Sequence, residues 1–249
     1  MNTTRKELKR IARGNLTGHY LVPIQVFLLT TCITSALELP FSLLQTGSTN
    51  STLQTVTFFL AEFLITLVSS VLTIGQHRMH LSMARKESFS KNQIFYGFKN
   101  HTDHYILYGL IVTVSTYITM IPYYIAQHLL NQALTVNMVL LCIGLAILSL
   151  LLQIIPQLEF SLLYFVALEN EELSAKQVLQ KSHALIKGHR GKLFVLLLSF
   201  FGMDLLAMLS MGIGYLWLHP YQMQTLSNFY LDLKEELPAQ ETSTFNQYA

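Results

Sequence analysis

Along the chain, long apolar runs alternate with short segments that open on polar residues. The runs cover residues 20–44, 55–79, 104–128, 136–167, 191–211 and 212–233. A hydrocarbon core about 30 Å thick takes about 20 helical residues. Helix is also the only open-chain structure that satisfies its own backbone groups in lipid. Each run is therefore predicted to be a membrane helix. The fourth is too long to lie wholly in hydrocarbon, and its end, "LLYFVALENEE", is expected to emerge into water. The sixth, "GIGYLWLHPYQMQTLSNFYLDL", carries His219, Gln222, Gln224, Asn228 and Asp232. It reads as a weak sixth span or as an amphipathic tail, with Gly212 and Gly214 permitting a tight turn before it.

Three segments outside the runs begin alike. Thr4 with Glu7, Ser90 with Gln93 and Ser174 with Gln177 each fit a capping box, in which the first side chain takes an orphan amide and the second reaches back. After Ser174, the residues Val178, Leu179, Ser182, Leu185 and Ile186 share one helical face, and Gly188 can end the helix. This is the pattern of an interfacial helix, apolar toward acyl chains or spans and cationic toward anionic head groups. "GHY" at 18 and "GHR" at 188 stand equally far from their boxes. The expected architecture is an all-α integral membrane protein of about six transmembrane helices. It is built as a threefold repeat of an interfacial amphipathic helix followed by a two-helix hairpin. One polytopic domain, 1–235, then contains copies at about 4–87, 90–171 and 174–235, with a short polar tail at 236–249. A complete third copy favours six spans over five.

Charge sets the expected orientation. Only 12% of the 249 residues are charged and 51% are hydrophobic, which excludes an ordinary soluble domain. Arg5, Lys6, Lys9, Arg10 and Arg13 precede the first run. Arg78, Arg85, Lys86, Lys91 and Lys99 surround the second segment, and Lys176, Lys181, Lys187, Arg190 and Lys192 surround the third. Lys234 follows the sixth run, and the loops "QTGSTNST" and "HLLNQALTVN" have no cation. The positive-inside rule then puts both termini and both long basic segments in the cytoplasm. Anionic lipid of the cytoplasmic leaflet is the nearest partner for these cations, specifically Lys176, Lys181, Lys187, Arg190 and Lys192 around the third segment. Nucleic acid is not expected, because the cations alternate with apolar anchors. The first run continues past signal-peptide length and reads as a retained span. Cys32 and Cys142 lie in separate apolar runs and form no framework.

Candidate chemistry is sparse. Glu38, Glu62, Glu159 and Asp204 fall within runs, where a central charge costs at least ~2.5 kcal/mol. Glu38 stands near an outer end. Glu159, Asp204 and Glu62 are the candidate intramembrane polar site, either for a proton or cation or as hydrogen-bonded links between helices. Pro23, Pro122, Pro156 and Pro220 can kink their helices. His77 with His80, and His101 with His104, are His-x-x-His pairs without further ligands, so they read as interfacial histidines and no metal is expected. No nucleophile elbow, zinc-protease helix or phosphate loop occurs, and neither catalytic residues nor a cofactor are assigned.

"SHALIKGHRGKLFVLLLSFFG" with the sixth run, preceded by "IPQLEFSLLYFVALEN", resembles a family of uncharacterised multi-pass membrane proteins from Gram-positive bacteria, a domain of unknown function. The layout is also similar to the membrane domain fused to some glycerophosphodiester phosphodiesterases. The resemblance implies fold and location, the bacterial cytoplasmic membrane, and carries no catalytic residues. The expected function is a non-enzymatic membrane module that binds anionic lipid or partner proteins, with a homo-oligomer as one form of partner. A small transporter or channel using the intramembrane acids is the alternative, and an intramembrane lipid-modifying enzyme the third.

Overall fold

The computed structural model describes residues 3–45, 52–130 and 135–245. The cation-free loops around 46–51 and 131–134, and the last four residues, lie outside them. In chain order the helices are α1 (Arg5–Leu16), α2 (Leu21–Gln45), α3 (Thr52–Ala84), a 3-10 turn over Lys91–Phe95 leading into α4 (Tyr96–Lys99), and α5 (Thr102–Leu130). They continue with α6 (Val136–Glu159), α7 (Leu163–Glu169), α8 (Ala175–Ile186), α9 (Arg190–Leu198), α10 (Phe201–Leu209) and α11 (Tyr215–Phe245). The described residues contain no strand.

Five stretches are long and apolar enough to cross a membrane: Leu21–Leu43, Val56–Ala84, Thr102–Leu130, Val136–Glu169 and Arg190–Leu209. Their outward faces are crowded with large apolar side chains, such as Leu140, Leu141, Ile143, Ile147, Leu150 and Leu151 of α6. The interior, by contrast, holds Gln76, His77 and His80 of α3 and Gln224, Thr225, Ser227 and Asn228 of α11. An apolar outside around a polar inside suits hydrocarbon as the solvent and is unsuited to water. The chain is thus an all-helical protein compatible with multi-pass insertion.

α3 is the central helix, packed by α2, α5, α11 and the 3-10 turn. Glycine permits the close approach. A Cβ on Gly75 would overlap the Ile94 backbone, and one on Gly97 would stand 2.7 Å from the Val71 carbonyl. α5 pairs with α6, and beside Pro122 the Tyr123 amide donates to Ser149 Oγ on α6 at 2.8 Å.

α11 forms where the sixth run was expected, yet it is not among the five long apolar stretches. Its polar residues face protein. It returns along α9 and α10, with Gln222 opposite Asp204, and packs on α1, α3 and α2. Its backbone stays helical to Phe245, through most of the stretch expected as a tail.

The end of the fourth run departs from expectation. α6 stops at Glu159, and α7 does not emerge into water: Leu163, Tyr164, Phe165, Val166, Ala167 and Leu168 are all buried. They join one large apolar cluster with Leu8, Ala12 and Leu16 of α1, Val178 and Ile186 of α8, and Phe229 and Tyr230 of α11. The aromatic-rich segment enters a protein core, because α3 and α8 pack against it and Tyr230 of α11 stacks on Phe165.

The three capped segments differ. Thr4 Oγ1 accepts the Glu7 amide at 3.3 Å and starts α1. Ser90 makes no cap bond, and its segment is a 3-10 turn with one α-turn. At α8 Ser174 and Gln177 form the expected capping box, and the Gln177 carbonyl oxygen accepts from both the amide and the hydroxyl of Ser174, at 3.0 and 2.8 Å. α1 and α8 end in the same way. Thr17 and Lys187 have φ −60°, and Gly18 and Gly188 follow at +81° and +85°. His19 and His189 then donate to Leu16 and Ile186 carbonyls at 2.9 Å. This is a type II turn twice over, and its third position demands glycine.

Candidate functional site

The three acids expected as one intramembrane site have separate surroundings. Glu159, at the last turn of α6, receives both bonds from Arg190 Nη2, one at 2.9 Å, and stands 3.2 Å from His183 Nδ1. It ties α6 to α8 and α9. Asp204 on α10 accepts from Gln222 Nε2 of α11 at 2.8 Å. Glu62 on α3 lies near Tyr117 and Tyr124 of α5.

Two acids that the sequence reading left aside are the main polar links. Glu169, at the end of α7, binds Arg85, which directly follows α3, and accepts from Tyr230 Oη at 2.6 Å and Lys234 Nζ at 2.7 Å, both on α11. Glu171 accepts from Tyr96 Oη at 2.5 Å and Tyr105 Oη at 3.0 Å. Burial, and then the bond to Glu171, push the Tyr96 phenol up to about 12. "LENEE" is thus where α3, α4, α5, α7 and α11 are joined. The available signal was its position directly after a run too long for the membrane.

A second feature is the polar interior between α3 and α11. His77 Nδ1 lies 2.8 Å from the Thr73 carbonyl oxygen, and His80 Nδ1 lies 2.9 Å from Gln224 Oε1. The His219 ring stacks on Phe27 with centroids 4.5 Å apart. Gln224 Nε2 and Asn228 Nδ2 are buried without a hydrogen-bond partner among the described residues. The pair His77 and His80 is therefore interior rather than interfacial, a correction that follows from α11 covering it. The sequence held a usable sign: Tyr221, Gln224, Thr225 and Asn228 recur at three- and four-residue spacing on one face. His101 and His104 stack at 5.9 Å, near the surface. Among the described residues no group of three or more His, Cys, Asp or Glu could hold a metal ion.

The cations of the third segment are exposed. Lys181 donates to Asn170 Oδ1 at 2.5 Å and Arg190 is engaged by Glu159, whereas Lys176 and Lys187 project outward from α8 and its C-terminal turn. The apolar face of α8 (Val178, Leu185 and Ile186) is docked on the protein. In α1, Arg5, Lys9 and Arg13 follow at four-residue spacing. Lys9 lies 3.8 Å over the Phe200 ring, and Arg13 Nε donates to Tyr221 Oη at 3.1 Å. Burial, then the nearby Arg13, lower the Lys9 ammonium from its ordinary range. A cavity of about 450 Å³ opens beyond Arg13, between Tyr20, Met203, Trp217 and Tyr221.

A family model described as "Protein of unknown function (DUF975)" matches residues 1–236, and the chain belongs to that family. Comparison with curated proteins and with solved structures gives no match.

Proposed function

We propose that this member of the family is a non-enzymatic module of the bacterial cytoplasmic membrane, with both termini cytoplasmic, that gathers anionic lipid at its cytoplasmic face. The observation that carries this reading is α8. Its apolar face is spent on the protein core, which leaves Lys176 and Lys187 exposed beside the apolar spans, where head groups would lie. Cations held there each contribute about 1 kcal/mol with an anionic surface, screened by salt. The turn that α1 and α8 share supports a kinship between the first and third of the expected repeats.

The test is reconstitution into bilayers of phosphatidylglycerol and phosphatidylcholine, reading which lipid stays with the protein on extraction. Enrichment of phosphatidylglycerol should fall severalfold in Lys176→Glu/Lys187→Glu and in high salt. A lipid composition equal to the bulk would overturn the reading. A reporter fused after Ala249 should read cytoplasmic, which requires α11 to return the chain to the side on which α9 begins.

A second reading, a small transporter, is favoured by the unpartnered amides of Gln224 and Asn228 inside the helix bundle. Cation or proton flux in proteoliposomes that is lost in Gln224→Leu would favour it over a closed module.

A further inference from the structure

We infer that the hairpin of α10 and α11 is re-entrant. Its tip ends inside the leaflet on the side of α1 and α8 and takes acyl chains as its partner, instead of crossing the bilayer. This goes beyond the lipid reading above, since it concerns depth in hydrocarbon and not head-group charge. Helical register carries it. His80 of α3 meets Gln224 of α11, and Arg85 and Tyr230 meet on Glu169, so α11 runs in the same direction as the end of α3. Upstream of the first contact α11 has nine residues, back to Tyr215, and α3 has 28, back to Thr52. At the rise of an α-helix these are about 14 and 42 Å. α2 agrees. From the stacked rings of Phe27 and His219, α11 extends four residues to Tyr215, or about 6 Å, and α2 extends 18 residues to Gln45, or about 27 Å. With the turn at 210–214 added, the hairpin still stops about 15 Å or more short of the ends of α2 and α3, which is half a hydrocarbon core. Arg190–Leu209 is long and apolar enough to cross, but the level at which its return leg is held keeps it from doing so.

The chemistry of the tip fits that depth. No Asp, Glu, Lys or Arg stands between Asp204 and Asp232. Asp204 lies opposite Gln222, seven residues along α11 from Tyr215, so the acid sits about 10 Å back from the tip, toward the head groups. Leu206, Met208, Leu209 and Ile213 are exposed, and Met211 in the turn is 94% exposed. Such a surface is unsuited to a turn in water. The turn's amides need no water either. Those of residues 210–216 all bond within the hairpin, six to carbonyl oxygens and Gly214 to Ser210 Oγ at 2.9 Å. Acyl chains offer a backbone no partners, so internal bonding of this kind is what they require.

Trp217, the one tryptophan of the sequence, stands in the first turn of α11 and is 53% exposed. In the full chain reconstituted into phosphatidylcholine, lipids brominated along their acyl chains should quench most of its emission. In a Cys32→Ser/Cys142→Ser background, Met211→Cys should escape a membrane-impermeant maleimide given from outside to cells and from inside to inverted vesicles, and should react once the protein is denatured. Thr135→Cys, exposed at the start of α6, marks the far surface and should react in cells. Labelling of Met211→Cys from outside as fast as Thr135→Cys would make the hairpin a crossing pair and overturn the inference. Labelling from inside would put the tip in water and overturn it as well. Protection from both sides with an unquenched Trp217 would give the tip to a second copy of the chain and overturn the acyl-chain partner. Absence of phosphatidylglycerol enrichment leaves all these readouts unmoved, so the two readings fail separately.

Discussion

Lys9 Nζ donates to the Ser199 carbonyl oxygen at 3.0 Å, a carbonyl at the break between α9 and α10. The amides of Met203 and Asp204 both turn to Phe200, at 2.8 and 2.9 Å. Lys9 supplies the Ser199 oxygen with a donor from α1, and its ammonium also rests over the Phe200 ring. The first helix of the chain thus stabilises a break in one of its last helices.

Lys9→Met keeps the alkyl stem and removes the donor. A charged hydrogen bond contributes about 1.5–3 kcal/mol when well shielded. Because Lys9 is only partly buried, a loss of about 1 kcal/mol is expected. It should appear as a lower Tm in detergent, with Lys6→Met as the exposed comparison. Equal melting of the two variants would show that the break needs no cap from α1.

Glu169 is nearly enclosed, its side chain 10% exposed, and it holds Arg85, Tyr230 and Lys234 together. Glu169→Gln leaves Arg85 facing a neutral amide inside the protein. Breaking such a pair costs several kcal/mol when fully buried, and about 2 kcal/mol is expected with Arg85 partly exposed. Adding Arg85→Gln should recover part of that loss, a coupling read from the four melting curves of the cycle.

Gly75→Ala places a methyl group on the backbone of the 3-10 turn, which has no side-chain freedom with which to yield. Overpacking of this kind costs about 1–3 kcal/mol or more. Gly144→Ala in α6 meets nothing within 4 Å and should be neutral or slightly stabilising. Proteolysis of the two variants in detergent would separate them, with Gly75→Ala cut faster than the parent.

Tyr96 should titrate late. Its phenol is raised from an ordinary 10 to about 12 by burial and by donation to Glu171. The folded state thus prefers the neutral phenol. The stabilisation is complete below pH 10 and is lost as pH climbs from 10 through about 12. Ultraviolet difference titration against Tyr96→Phe reads this directly. Glu171→Gln should move the transition to lower pH, and an unmoved transition would assign the whole shift to burial.

The apolar runs by themselves determined that this chain is helical and compatible with a membrane, because a run of about 20 apolar residues has no other way to satisfy its backbone in lipid. The equal spacing of Gly18 and Gly188 from their capping residues likewise corresponds to one local structure, since a positive φ in the turn selects glycine wherever it occurs. What tertiary structure decided was the inside. The polar face of Tyr215–Leu233 reads as weakness in a span until α3 and α1 are seen to cover it, because hydropathy averages around a helix and burial does not. In the same way Leu163–Leu168 looks ready to enter water, but α3 and α8 pack against it and Tyr230 of α11 stacks on it. The grouping of acids also depended on packing. Glu159, Asp204 and Glu62 resemble one another by position in their runs, yet each meets a different neighbour. Glu169, which looked like a solvated turn, became the junction, since the partners it needed stand 84 and 61 residues away, at Arg85 and Tyr230.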